Sequence, residues 1–381
     1  MSHAFLSASG SHRWIECTPS VRLEEDFPQS ESVYAAEGTF AHEMAEKHLS
    51  LYFGGITLAE HTAWLERAKK NEYYSNALCE YVDEYVNMCI EKYNALLADG
   101  GEPDIHLEHG VDFSDWVPNG FGTSDAVIIG NGILEVCDLK YGRNVAVSAM
   151  NNSQLRLYAL GAYSEFGWLY DIKTIRMTIC QPRNGGINSE EISVEELLAW
   201  GEWLKPIAQK AMEGKGQLHA GEHCKFCRAA CRCKELATYN MDVAKYEFRQ
   251  ANLLSDDELA EILTKADTLV SYVNSIKDYA LSEALKGKCL DGWKLVEGTA
   301  RRKYSDEKAV AKKLIAEGFS EEAIYKEPSL IGLTDMKSLL GKKKFEEYLD
   351  GLIIKPKGKP VLVPESDKRP NYSDVNFESL E

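Results

Sequence analysis

Residues 122–142, GTSDAVIIGNGILEVCDLKYG, constrain this chain more than any other stretch. Two β-branched runs flank Asn131-Gly132, and a two-residue Asn-Gly loop takes the turn whose twist matches a β-hairpin. In that register Gly130 pairs with Ile133, and Asp125 falls opposite Asp138. Directly opposed β-carbons lie about 4.5–5.5 Å apart. Two carboxylates at that separation repel by roughly 3–4 kcal/mol at an effective dielectric near 20. Lys140 lies two residues beyond Asp138 and so emerges on the same face. Strands otherwise built for burial therefore carry two acids and a lysine, and something positive must sit between the acids. A hard divalent cation, Mg²⁺ or Mn²⁺, suits carboxylate oxygens plus water. A lysine beside it can help deprotonate a water or stabilise charge developing on a phosphate. The alternative is a solvent-facing strand face on which Asp and Lys are ordinary.

The rest of the first two-thirds reads as alternating elements. Helical spacing covers Glu37–Leu51, with Phe40, Met44 and His48 along one face and His42 with Glu46 along another. A second helix covers Tyr73–Ala98, a strand Ile105–Phe113, a helix Asn152–Phe166, a strand Lys173–Gln181 and a helix Val194–Met212. This order predicts an α/β domain with a central mixed sheet flanked by helices. His42 is a candidate nitrogen ligand, although a lone helical histidine is more often structural. The surrounding HEMAE has the start of a zinc-peptidase H-E-x-x-H, but Glu46 stands where the second histidine belongs. Gln154 and Tyr158, four apart on a helix, share a face that can position a phosphate or a water.

HCKFCRAACRC places Cys224, Cys227, Cys231 and Cys233 within ten residues. Such density points to thiolate ligation of Zn²⁺ or of an iron–sulfur cluster. Four ligands inside ten residues make a cramped site, so a distant fourth ligand is expected, with Cys17 in SHRWIECTPS the candidate. Cys79, Cys89, Cys137, Cys180 and Cys289 sit in apolar contexts and read as buried thiols.

No apolar run reaches the length of a membrane span, and MSHAFLSASG has neither the basic start nor the apolar stretch of an export signal. Ten cysteines without such a signal point to a reducing compartment, the cytoplasm of a bacterial host cell. A net charge of −17 argues against non-specific coating of nucleic acid. Texture changes after the cysteines. Residues 1–244 are expected to form one domain and 245–381 a C-terminal accessory module, mostly helical, with basic runs at Arg301-Arg302-Lys303 and Lys342-Lys343-Lys344.

Together GTFAHEMAE, GTSD, DLK and QLRLY resemble, in order, the motifs of the RecB-like branch of the PD-(D/E)XK nuclease superfamily. Cys17, with Cys224, Cys227 and Cys233 in C-x2-C-x5-C spacing, is similar to the iron–sulfur staple of AddB-type and CRISPR adaptation nucleases. From SASGSHRWIEC to VPESDKRP the chain also resembles a prophage family catalogued as a domain of unknown function. The resemblance implies a restriction-endonuclease-like core in which His42, Asp125, Asp138 and the Leu139 carbonyl hold the metal. It makes Lys140 the catalytic lysine and turns Gln154 and Tyr158 toward a DNA end. Glu108 sits where relatives often carry an acid, and it ranks with Glu46 and Cys231 behind these residues. Cys17, Cys224, Cys227 and Cys233 would hold a structural 4Fe-4S cluster.

The expected activity is metal-dependent hydrolysis of DNA phosphodiesters, by an exonuclease of phage or prophage replication or recombination. A phage single-strand annealing or replication protein is a candidate partner, and no membrane is involved. Asp138→Asn is expected to raise the melting temperature of the metal-free protein by relieving acid–acid repulsion. The rival is a non-catalytic nucleic-acid-binding or scaffold protein with a zinc-bound cysteine knuckle.

Overall fold

The hairpin forms where the Asn-Gly turn requires it. In this computed structural model Asn131 and Gly132 take φ of +51° and +76°, the left-handed pair that a type I′ turn needs. The structure describes residues 4–28, 33–143, 146–184, 186–244, 256–297, 303–326 and 329–330, with shorter pieces between 336 and 364. Two units divide the chain at Tyr272/Val273.

In the first unit α1 (Ser11–Glu16), α2 (Ser20–Glu24), α3 (Val33–Tyr52), α4 (Leu58–Ala68) and α5 (Asn76–Ala98) precede the sheet. Next come β1 (Asp104–Asp112), β2 (Phe121–Gly130), β3 (Ile133–Leu139), α6 (Ser153–Phe166), β4 (Thr174–Gln181), β5 (Gly186–Ser193) and α7 (Val194–Glu213). Two short 3₁₀ turns, Glu222–Phe226 and Ala230–Arg232, lead to α8 (Lys234–Ala244), and α9 (Asp256–Leu285) crosses the division between units. The sheet has the order β1-β2-β3-β4-β5, antiparallel except for β3 with β4. That parallel pair is joined through α6, the crossover that parallel strands require. It is a mixed α/β fold, as expected.

One apolar core, including Val127, Ile129, Leu134 and Val136, lies under α6 and α7. The other, including Ala126, Ile128, Cys137 and Leu139, lies under α3, α4 and α5. Each fully buried Ile or Leu contributes about 1.5–3 kcal/mol relative to exposure. A one-residue slip of β2 against β3 would exchange the two sets of side chains, so the register is firmly set. Helix ends follow local chemistry: Thr57 with Glu60 forms a capping box for α4, and Asn152 Oδ1 accepts from the Leu155 amide to cap α6.

Several elements of the sheet unit, α1, α2, α4, β5 and α8 among them, escape the periodicity reading. β5, GINSEEIS, is a polar edge strand, and α4 is a short amphipathic helix bridging α3 and α5. The division at Tyr272, later than residue 244, follows because Tyr272 packs on the apolar cluster of Ala220, Cys224, Ala230 and Leu236.

The second unit, besides the end of α9, holds β6 (Trp293–Glu297), β7 (Lys303–Tyr304), α10 (Glu307–Ala316), α11 (Glu321–Ile324), β8 (Tyr325–Lys326), β9 (Ser329–Leu330), β10 (Ile353–Ile354) and β11 (Pro360–Pro364). Three antiparallel pairs, β6 with β11, β7 with β10 and β8 with β9, accompany a core that includes Val310, Leu314, Ile324 and Phe345. Arg301, Arg302, Lys342 and Lys343 lie outside the described residues. Among the described residues no helix is long and apolar enough to cross a membrane.

Candidate metal centre and cysteine cluster

The polar groups gather where the sheet changes its alternation. On β1, Ile105 and Leu107 pack toward α3 and α5, whereas Val111, with Phe113 just past the strand, packs toward α6 and α7. On β2, Val127 and Ile129 face the α6 side, and yet a Cβ on Gly122 would also meet that side, 2.8 Å from the Tyr158 ring. Both strands therefore reverse between these positions. Their ladder passes from Leu107↔Ala126 to His109↔Ser124 and leaves Glu108 and Asp125 unpaired. Glu108 has φ +44°. A left-handed conformation at such a residue costs about 1–3 kcal/mol and gathers at functional sites. The glycine of GTSD thus leaves room for Tyr158, and the reversal frees Glu108 and Asp125 from the ladder.

The β2–β3 ladder ends at Ala126↔Cys137. Beyond it the Leu139 amide donates to Asp125 Oδ2 at 2.8 Å. His42, on α3, brings Nδ1 to 3.2 Å from the same oxygen. Lys140 Nζ lies 2.8 Å from Asp138 Oδ2 and donates to Gln154 Oε1 at 3.0 Å. Gln154 Nε2 in turn donates to Asp138 Oδ1 and to Tyr158 Oη, each at 3.2 Å. Positive groups do stand at both acids, His42 on one and Lys140 on the other.

Burial and charge set the protonation. Burial pulls His42 down, but Asp125 outweighs it and raises the imidazole to about 9. Burial also works against the Lys140 ammonium, but Asp138 overrides it and holds the lysine charged. Burial would raise Asp125, yet His42 and the Leu139 amide bring it below the ordinary range. Asp138 moves the other way, since burial exceeds the pull of Lys140. Burial first, then Asp125, lifts Glu108 to about 7.

His42, Glu108 and Asp125 bring one donor atom each within 4.8 Å of one another. One imidazole nitrogen and carboxylate oxygens form a donor set suited to Mg²⁺ or Mn²⁺. Asp138 stands beside this set, 2% exposed, with Lys140 Nζ, at 2.8 Å, the sole partner of its Oδ2 among the described residues. A buried carboxylate oxygen so placed fits a cation. Glu108 is therefore a member of the gathered set, although the sequence ranks it second. A strained φ leaves no signature in composition. Glu46 pairs with Lys47 at 2.9 Å.

The cysteines gather separately. Cys17 ends α1, Cys224 lies in the first 3₁₀ turn, Cys227 follows it, and Cys233 follows the second. All four line one small cavity with Arg13. Burial raises the Cys17 and Cys224 thiols, and neighbouring thiols push both further. Burial takes Cys227 to about 12. Cys231 instead turns its Sγ toward the Arg228 carbonyl at 3.9 Å. Buried Glu24 ties this segment to the N-terminal helices, accepting from Arg13 Nη2 at 2.9 Å and from the Arg228 amide at 2.8 Å. Of the remaining cysteines, Cys89, Cys137 and Cys180 are buried as expected, and Cys79 is half-buried. Cys289 is exposed, because it lies in the turn between Gly287 and Gly292 after α9.

A solved structure described as "Crystal structure of SSO0001" is similar at 14% identity and a TM-score of 0.24, covering 57% of this chain and 95% of that chain, too weak a likeness to assign a fold. The sequence model of one family matches residues 3–370, nearly the full span described above. The chain belongs to that family, described as "Protein of unknown function (DUF2800)".

Proposed function

We propose that this protein is a metal-dependent deoxyribonuclease with a PD-(D/E)XK-type core. One observation carries the reading: a half-buried Asp138–Lys140–Gln154 network stands beside the His42–Glu108–Asp125 donor set at one end of the sheet. His42, Glu108, Asp125 and Asp138 would hold Mg²⁺ or Mn²⁺. The metal would supply an activated water and a counter-charge for the phosphate. The chain's own groups do the rest. Lys140 presents an ammonium where negative charge grows on a phosphate oxygen. Gln154 fixes that ammonium through its Oε1 and aligns Asp138 through its Nε2. Tyr158, raised above its ordinary range by burial, remains a neutral hydroxyl beside Gln154.

The four cavity-lining thiols suit a structural 4Fe-4S cluster. Zinc bonds of about 2.3 Å hold tetrahedral sulfurs about 3.8 Å apart. Iron and sulfide analysis against zinc analysis of the purified protein decides between the two groups.

The test is degradation of linear and circular DNA with added Mn²⁺ by wild type, Asp138→Asn and Lys140→Ala. Loss of cleavage in both variants, with folding intact, supports the reading. Cleavage at the wild-type rate by both would move activity elsewhere and favour the scaffold alternative.

A further inference from the structure

Between two of the cavity-lining thiols stands an exposed aromatic ring. Phe226, in Cys224-Lys225-Phe226-Cys227, is 68% exposed. Single exposed hydrophobics are ordinary on a protein surface, so exposure alone assigns nothing. Three further features do. First, the ring stands on a short, fixed turn. The Cys227 amide donates to the Cys224 carbonyl at 3.1 Å, and Arg13 Nη1 donates to the Phe226 carbonyl at 3.4 Å. Second, charge here opposes that of the chain. Residues 223–234 contain Lys225, Arg228, Arg232 and Lys234, flanked by Glu222 and Glu235, so the loop is net basic in a protein of net charge −17 even with Arg228 held by Glu24. Lys225 Nζ lies 5.9 Å from the ring centroid, and Lys225 and Lys234 are exposed. Third, α1 links this loop to the metal centre. Ser11 Oγ lies 2.6 Å from Ser153 Oγ, the neighbour of Gln154, and Arg13 two residues later holds Phe226.

We propose that Phe226 is a stacking platform for an unpaired base of single-stranded nucleic acid, with Lys225 and Lys234 contacting its phosphates. Every base presents a π-face to an aromatic ring, and a fixed ring beside cations is how sequence-tolerant single-strand binding is built. A duplex keeps its bases stacked inside and would meet only the cations. This assignment rests on the nuclease reading and narrows it to single-stranded substrate, or to the frayed end of a duplex.

The test measures binding by fluorescence anisotropy with full-length, anaerobically purified protein and no added divalent metal. The probes are a labelled oligothymidine of about 15 nucleotides, near the upper site size of one binding module, and a blunt duplex of the same length. Phe226→Ala should weaken oligothymidine binding about tenfold or more, the loss expected for one stacked base. Phe226→Trp should restore binding, and duplex affinity should change by less than about twofold. Lys225→Ala should flatten the salt dependence by somewhat less than one unit of slope. Iron content and melting temperature of Phe226→Ala should match wild type, which separates a lost contact from a damaged loop. The proposal is overturned if Phe226→Ala binds oligothymidine as tightly as wild type, or loses both probes equally, while the nuclease reading survives either result. Wild type that binds neither probe would sink both.

Discussion

The metal centre and the cysteine cluster are built by opposite means. Three of the cavity-lining thiols come from ten consecutive residues, and only Cys17 arrives from afar. The metal centre draws His42 from α3, Glu108 from β1, Asp125 from β2, Asp138 and Lys140 from the end of β3, and Gln154 and Tyr158 from α6. Burial raises the Cys17, Cys224 and Cys227 thiols, and the sulfurs make long hydrogen bonds, such as Cys224 Sγ to the His219 carbonyl at 3.9 Å, so a bound ligand would supply much of that region's order. The carboxylates are already paired with His42 and Lys140, so the metal-free site is locked by its own charges. Losing the ligand should therefore unfold one region and leave the other standing.

The sharpest way to break this contrast is Cys224→Ser. It should remove iron and lower stability by several kcal/mol, because binding energy at a structural metal site is folding energy. Iron and sulfide analysis with thermal melts checks it. Stoichiometric zinc without iron, after iron-replete anaerobic expression, would refute the cluster.

Next in size is Lys140→Ala, which should reduce Mn²⁺-dependent cleavage by about a hundredfold or more, with Mn²⁺ affinity within a few-fold of wild type. Calorimetry beside the cleavage assay separates the two. Asp138→Asn should abolish cleavage and raise the melting temperature of the metal-free protein. Burial, reinforced by Asp125, outweighs Lys140 and holds this carboxyl above its ordinary range, so its charged form is the costlier one in the fold.

Acidity distinguishes the two sites further. His42 holds its proton up to about 9 and Glu108 up to about 7. A metal must displace both, so Mn²⁺ affinity should rise with pH, by about tenfold per unit for each proton released, and level off above 9. Glu108→Gln should lower that affinity by about tenfold and remove the component below 7. In the metal-free protein, His42 adds stability below its ordinary 6.5 that is lost as pH rises through 9. Glu108, raised from 4.5, makes stability fall as pH climbs from 4.5 to 7. Urea unfolding across that range should show both slopes, with the lower one absent in Glu108→Gln.

The smallest effect belongs to Cys231→Ser, which should keep full iron and change stability by no more than about 0.5 kcal/mol, while Cys233→Ser loses the iron. The reverse outcome would transfer the ligand role to Cys231.

Much of this was legible in the residues alone. Asn131-Gly132 set the turn and hence the β2–β3 register, and period-3.6 spacing located α3, α5, α6 and α7 within a few residues. β5 escaped because its residues are mostly polar, and its strand character comes from hydrogen bonds to β4. Glu108 was underrated because its place depends on a backbone reversal that both β1 and β2 must make together. Cys231 and Cys233 look alike in sequence, and only the chain's path through the second 3₁₀ turn aims one thiol into the cavity and the other away.

The sequence by itself determined what repeats at short range: the hairpin, the helix faces, the cysteine spacing and the nearness of two acids and a lysine at the open end of the hairpin. Tertiary structure alone decided which distant groups answer them: His42 on Asp125, Gln154 between Asp138 and Lys140, Glu108 in the donor set, and Cys17 in the thiol cavity. Backbone geometry has fixed periods that can be counted along a chain. The charge a buried group meets depends on helices and strands closing from positions tens to hundreds of residues apart, and no local period encodes that.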